Sequence, residues 1–377
     1  MNFYYFDNAA TTRLDNDVLK EMLPYSNVVF GNASSSYKLG RNSKNAIENS
    51  RQKVANILGC KSDEIYFTSG GTESDNTALK GIARANRYRG NHIITSSIEH
   101  PAILESCKEL EKEGFLITYL PVDSNGFVSL TELENNITNS TILISIMYAN
   151  NEIGTIQPIK EIGAIAHKYN IPFHTDAVQA VGTLPLKVND LNVDALSMSA
   201  HKFYGPKGIG ALYVRETVPF YRFMSGGHQE RNMRAGTENV AGIVGLGTAI
   251  DLAYRNLDRH NYKIKSLRDY FLNNIIRIFP DLKINGSLKN RLPGNANISF
   301  KNVQGSVILK ALDELGIYAS AGSACSAGIT KLSHVLDAIG MPEEYSKNSL
   351  RITIGKNNTK EEIDYLIYAL KRIVKAQ

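Results

Sequence analysis

The chain has 377 residues, a length that suggests two or three domains with a substantial core and exceeds that of a small binding module. Its 42 lysines and arginines stand against 37 aspartates and glutamates, a thin formal charge of +5 that excludes an acidic tail and makes no case for direct nucleic-acid binding. With 43% hydrophobic and 21% charged residues, the composition is that of a folded protein, well away from disordered chains.

Three cysteines, Cys60, Cys107 and Cys325, are too few for a disulfide framework, and none lies at metal-knuckle or dithiol spacing from another. A reducing compartment is expected. The opening Met1-Asn2-Phe3-Tyr4-Tyr5-Phe6-Asp7 reaches an acid after few apolar residues, and no later run approaches the ~20 apolar residues of a membrane span. A cytoplasmic protein without a membrane partner is the expectation.

Short apolar runs alternate with longer amphipathic stretches through the first two thirds of the chain, the rhythm of strand–helix–strand units and a largely parallel sheet. The pattern predicts strands over residues 64–68, 92–96, 116–120, 141–147, 172–175, 195–199 and 210–214. Helices are predicted over 72–88, 101–113 and 159–169. From about Glu238 the texture changes: long helical patterns over 248–262 and 264–279, two or three strands, a helix near 307–315 and a closing helix over 359–376. This reads as a second, smaller α/β domain entered through a long helix. The small-residue stretch 319–328 has nothing bulky to anchor it and is expected to form a mobile surface arm.

Three strand ends carry chemistry. Ser69-Gly70-Gly71-Thr72-Glu73-Ser74 closes a strand and opens a helix, so free N–H groups and the helix dipole converge there as an anion cradle, or else Thr72 caps a tight turn. Ser199-Ala200-His201-Lys202 ends another strand, where partial desolvation lowers an amine toward neutrality; taken alone, Lys202 reads as a solvated surface lysine, and only its company changes that. Asp176 follows the apolar run 171–175. Ligands of open parallel sheets collect at the carboxyl ends of strands, and a phosphate cradle, a carboxylate and an amine are what pyridoxal 5'-phosphate requires.

His100 stands at a further strand-to-helix junction, either lying on a cofactor ring or serving the structure. Asn151 and Gln179 offer amides for a cofactor phenol oxygen or a substrate carboxylate, and Arg351, in a strand-like run, offers a bidentate clamp unless it is simply exposed. Cys325, amid the small residues, is a nucleophile on a flexible arm and suits a group carrier. Cys60 and Cys107 read as packing residues.

Taken together, Asp-Ala-Val-Gln at 176–179, Ser-Ala-His-Lys at 199–202 and Gly-Ser-Ala-Cys at 322–325 resemble the cysteine desulfurases of the class V aminotransferase branch, over nearly the whole chain. The resemblance implies fold type I of the pyridoxal-phosphate-dependent transferases, α/β, with a mostly parallel seven-stranded sheet in a large domain and a smaller C-terminal α/β domain. The expected divisions are 1–15, an N-terminal segment packing with the small domain, 16–250, the cofactor domain, and 251–377, which carries Cys325. It further implies that Lys202 holds the cofactor aldehyde, Asp176 pairs with the ring nitrogen, and His100 stacks on the ring. Gly71, Thr72, Ser199, His201 and, from the partner subunit, Thr237 would hold the phosphate, with Asn151 and Gln179 as further contacts and Asn151 and Arg351 binding substrate.

The implied reaction converts L-cysteine to L-alanine, leaves a persulfide on Cys325 and passes the sulfur to acceptor proteins for iron–sulfur cluster assembly or tRNA thiolation. A homodimer with active sites at its interface is also implied, as is the branch of nitrogen-fixation and housekeeping desulfurases. The chain closes at Lys375-Ala376-Gln377, without the C-terminal extension of the housekeeping members, so a tRNA-thiolation or specialised acceptor is expected on equal terms with an iron–sulfur scaffold. An aminotransferase or selenocysteine lyase with the same cofactor, and a non-catalytic protein retaining the fold, are the competing readings.

Overall fold

A computed structural model describes residues 3–301, 303–321 and 333–376; Cys325 and most of the stretch 319–328 therefore lie outside the described residues. The strands in chain order are β1 (Tyr4–Tyr5), β2 (Ile65–Thr68), β3 (His92–Ser96), β4 (Leu116–Leu120), β5 (Thr141–Ser145) and β6 (Phe173–Asp176), followed by β7 (Ala195–Ser199), β8 (Gly210–Val214), β9 (Lys283–Ile284), β10 (Asn295–Ser299), β11 (Ile317–Tyr318) and β12 (Ser349–Thr353). Seven of them form one sheet in the order β2-β8-β7-β6-β5-β3-β4, parallel except for β8, which runs against both neighbours.

The inner strands β3, β5, β7 and β8 are buried on both faces, which is why they read as continuous apolar runs rather than alternating ones. Successive side chains part company across the sheet. Ile94, Ile144, Leu196 and Ala211 join Leu58, Phe173 and Phe203 in one core, whereas Ile93, Leu143, Ala195 and Leu212 join Leu79, Ile82 and Ile103 in another. The helices Gly71–Ala85, Pro101–Lys112 and Ile159–Lys168 connect the parallel strands. The strands and these helices fall within a few residues of the predicted bounds.

Two helical expectations need correction. The helix Lys38–Leu58, 21 residues long, is absent from the sequence reading. Its buried side includes Gly40, Ser43, Ala46, Ser50 and Ala55, which give little hydrophobic signal but allow close helix packing. It packs on the helix Val240–Arg255, where a Cβ at Gly247 would come 2.7 Å from Ser50 Cβ. That second helix begins eight residues before the predicted start at 248 for the same reason, since Gly242, Gly245 and Gly247 lie on its buried side. A break at Asn256 then separates it from Leu257–Ile278.

The C-terminal part holds the antiparallel sheet β12-β10-β9. Its core joins Ile298 and Ile352 to Phe271, Ile363 and Leu366. Phe6 is fully buried in this core, and β1 pairs in parallel with β11. From Tyr4 the chain thus starts on the C-terminal part and crosses to the large sheet.

Candidate active site

The carboxyl ends of β2, β3, β5, β6 and β7 open onto one cavity of about 340 Å³, lined by Asp176 and Lys202. Gly71, Thr72, His100, Asn151, Gln179, Ser199, His201 and Arg351 line the same cavity. Residues spread over 281 positions of sequence are therefore gathered by the topology, Arg351 being supplied from β12 of the other sheet.

The cradle lies at the start of the helix Gly71–Ala85, whose first N–H groups have no partner inside the helix. Gly71 is required by close approach: a Cβ there would lie 2.7 Å from Val178 Cγ2. A second opening shares Gly71, Thr72, Ser199 and His201 and adds Ser69, Glu73 and Lys207. Glu73 would be an awkward neighbour for an anion, but it accepts from Ser69 N at 2.8 Å and from Arg234 Nε at 2.8 Å. Burial pushes this carboxyl up, and the Arg234 and Ser69 bonds outweigh it, so Glu73 stays below the usual carboxylate range and spends its charge on Arg234. His201 is pushed down to about 4 by burial, with Lys202 and Lys207 adding to it, and its Nδ1 lies 3.0 Å from Thr11 Oγ1.

Lys202 sits in a single 3₁₀ turn after β7, and its Nζ donates to Ala9 O at 2.6 Å and Ala10 O at 2.7 Å. Burial and, after it, Arg351 lower the amine, Asp176 and Asp7 partly offset both, and the net value is about 8. Asp176 Oδ1 accepts Val178 N at 2.9 Å; burial raises this carboxyl, while His100, that N–H and Lys202 hold it back. His100 caps the helix Pro101–Lys112 by accepting Ala102 N at Nδ1, 3.2 Å, so its neutral ring carries the proton at Nε2. Its side chain is open to solvent at the cavity mouth, yet protein packed on its inner side lowers the imidazole, with Lys202 and His334 contributing and Asp176 opposing.

Arg351 spans both parts of the site, donating from Nη2 to Asp7 Oδ1 at 2.9 Å and from Nη1 to Asn151 O at 3.2 Å. Its Nε is buried without a hydrogen-bond partner. Gln179 Nε2 donates to Ala9 O at 3.0 Å, which ties it to the same segment as Lys202. Thr237 does not line this cavity within the chain; it is exposed beside a neighbouring opening with Arg234 and Gly236. Cys325 lies outside the described residues. Burial pushes the Cys60 thiol up to about 12 and the buried Cys107 thiol higher still, so neither is a thiolate at neutral pH.

Two residues of this neighbourhood went unnoticed in the sequence. Asp7 was read only as an early acid, and Asp75 looks like an ordinary helix acid. The available signal was its spacing, four residues after Gly71 and therefore one turn along the same helix face.

With this geometry in place, comparison with known proteins is decisive. Residues 4–366 match the aminotransferase class-V family. Cysteine desulfurase IscS of Clostridium botulinum is 52% identical over 98% of this chain and 94% of its own, and that of Methanosarcina thermophila is 53% identical over 98% and 91%. This chain belongs to the cysteine desulfurases of the class-V aminotransferase family. Among solved structures, a NifS-like protein superposes on this desulfurase-family chain with a TM-score of 0.94 at 40% identity, covering 100% of both chains. SspA in complex with cysteine gives 0.83 at 38% identity, covering 95% of this chain and 100% of its own. The class-V fold, with its mostly parallel seven-stranded sheet, is thus shared along the whole chain.

Proposed function

We propose that the chain is a pyridoxal-phosphate-dependent desulfurase that takes sulfur from L-cysteine, releases L-alanine and retains the sulfur as a persulfide on Cys325. The observation that carries the reading is the joining of Asp176, Lys202, Arg351 and the Gly71 helix start in one cavity. The donor set fits the cofactor: a helix N-terminus with Thr72, Ser199 and His201 for the phosphate, Asp176 for the ring nitrogen, and an amine lowered to about 8 for the aldehyde. Gln179 and Asn151 complete the polar lining. When bound there, pyridoxal phosphate supplies an electron sink for bonds beside the substrate nitrogen.

The protein's own residues do the rest. Arg351 would take the substrate carboxylate and set its orientation, and Asn151, whose carbonyl accepts from Arg351, would help bind it. Lys202, with its pKa near 8, exchanges protons near neutral pH, and His100 holds a proton at Nε2 at the cavity mouth. The Cys325 thiolate forms an S–S bond to the substrate sulfur as the C–S bond breaks, and a proton added to the freed carbon completes L-alanine. The persulfide is then transferred to an acceptor, an iron–sulfur scaffold protein or a tRNA-thiolation enzyme. A homodimer in which the partner copy's Thr237 segment completes the cradle is supported by the exposure of Thr237, Tyr221, Phe223 and Met224 on one stretch of chain. The three-part division at 1–15, 16–250 and 251–377 is supported by separate cores on the two sides of the site.

Incubation of the cofactor-loaded protein with L-cysteine, scored for alanine and for one sulfur added at Cys325, tests the reading. Alanine with the adduct is expected. Alanine without it indicates a lyase, and neither product removes the assignment.

A further inference from the structure

The helix that forms the cradle also brings a second acid to the cavity floor. Asp75 is 1% exposed, lines the cavity beside Asp176, and its Oδ1 has no hydrogen-bond partner. One side-chain atom each from Asp75, Asp176 and His100 lie within 4.8 Å of one another. Two carboxylates so close and so far from water do not both ionise, because their repulsion is weakly screened. The pair therefore retains one proton, and the surroundings decide which acid carries it.

Asp176 accepts the Val178 N–H and faces His100 and Lys202, all of which favour its charged form. Asp75 faces Asp176 and His174 from β6, Glu99 from the turn after β3, and the hydroxyl of Ser197 from β7. Among the described residues no lysine or arginine compensates it, and Glu99 adds repulsion. His174 Nε2 is 3.8 Å from Asp75 Oδ1, but the ring sits between Ser145 Oγ and Ser197 Oγ at 2.9 and 3.0 Å and is fully buried. Burial holds this imidazole down to about 3, so it supplies no positive charge.

We propose that Asp75 is a positioning residue that carries the shared proton, so that Asp176 remains the single charged carboxylate of the pair on the cavity floor. This rests on reading the cavity as a pyridoxal-phosphate site, where Asp176 meets a cationic ring nitrogen. An ionised Asp75 would place a second negative charge behind Asp176 and strengthen the hold of Lys202 on its own proton.

The test uses Asp75→Asn, which keeps the shape and cannot ionise. In the protein without cofactor, the infrared spectrum at neutral pH is expected to lose one protonated-carboxyl band relative to wild type; the contribution of other buried acids cancels in the difference. In the cofactor-loaded protein, the pH midpoint of the visible absorption is expected to move by less than about half a unit, since no charge is removed. An unchanged infrared spectrum, or a larger shift of the midpoint, overturns the proposal. Should Asp75→Asn not fold, Asp176→Asn replaces it: Asp75 stays buried beside Glu99, so its protonated-carboxyl band is expected to persist at neutral pH, whereas loss of the band would assign the proton to Asp176 and overturn the proposal. Failure of pyridoxal phosphate to develop any visible absorption would instead sink the site reading, and is told apart because the infrared comparison needs no cofactor.

Discussion

Burial moves Lys202 and Glu99 toward neutrality from opposite ends of the scale, the amine down to about 8 and the carboxyl up to about 8. For Lys202 the lowered value means that the free amine appears at lower pH than in an ordinary lysine. Reactivity of Lys202 toward a small aldehyde, measured by trapping and peptide mass in cofactor-free protein, should climb through about pH 8 and level off; a climb continuing toward 10.5 contradicts the geometry. Glu99 Oε1 accepts Ser96 Oγ at 2.6 Å and Met147 N at 2.9 Å, while Oε2 is buried without a partner. A raised acid binds more protons folded than unfolded between 4.5 and about 8, so its stabilising contribution is whole below 4.5 and lost as pH rises through about 8. Glu99→Gln, which is neutral throughout, should flatten the fall in urea midpoint across that window; an unaltered slope counts against a protonated Glu99. Arg351→Lys forfeits the fork geometry, and the KM for L-cysteine should rise roughly 10- to 100-fold with kcat less affected, as initial rates across substrate concentration will show.

At the scale of single elements, legibility follows what a side chain contributes to the core. β3, β5, β7 and β8 announce themselves because both faces are buried and the apolar run is unbroken. The helix Lys38–Leu58 is silent because it packs through Gly40, Ser43 and Ser50. Asp176 and Lys202 were legible from their strand ends, whereas Asp75 was not, since only the packing of its helix on β7 and β8 reveals that its outward-looking pattern is buried. Close packing also sets a test of the cradle. Gly71→Ala drives a Cβ into Val178 Cγ2 at 2.7 Å, so the helix start must shift. Cofactor affinity, measured by absorbance on reconstitution, should fall about tenfold or more, an effect in the range of one lost charge-assisted hydrogen bond. Adding Val178→Ala should restore most of it; a double variant no better than Gly71→Ala would assign the loss to something other than this contact.

Across the molecule, residues 3–12 join the two cores through the site. β1 pairs with β11, Thr353 N donates to Phe6 O at 2.7 Å, and Asp7 binds Arg351. Beyond that point Ala9 O and Ala10 O accept from Lys202, and Thr12 N donates to His201 O at 2.9 Å. The sequence showed an acid after a short apolar opening but not this path, because pairing across more than 300 residues leaves no local pattern. Phe6 is the bolt at the far end, fully buried against Ile298, Ile352 and Ile363. Phe6→Ala should therefore cost about 3–5 kcal/mol in the C-terminal core. Because the strap also lines the cavity at Ala9 and Ala10, loosening it should release the cofactor before the large sheet melts. In urea, the visible absorption of the loaded variant should disappear at lower concentration than the far-ultraviolet circular dichroism, whereas in wild type the two transitions should lie closer together. Coincident transitions in the variant would mean that the two cores unfold as one unit and that the strap transmits nothing separately to the lysine.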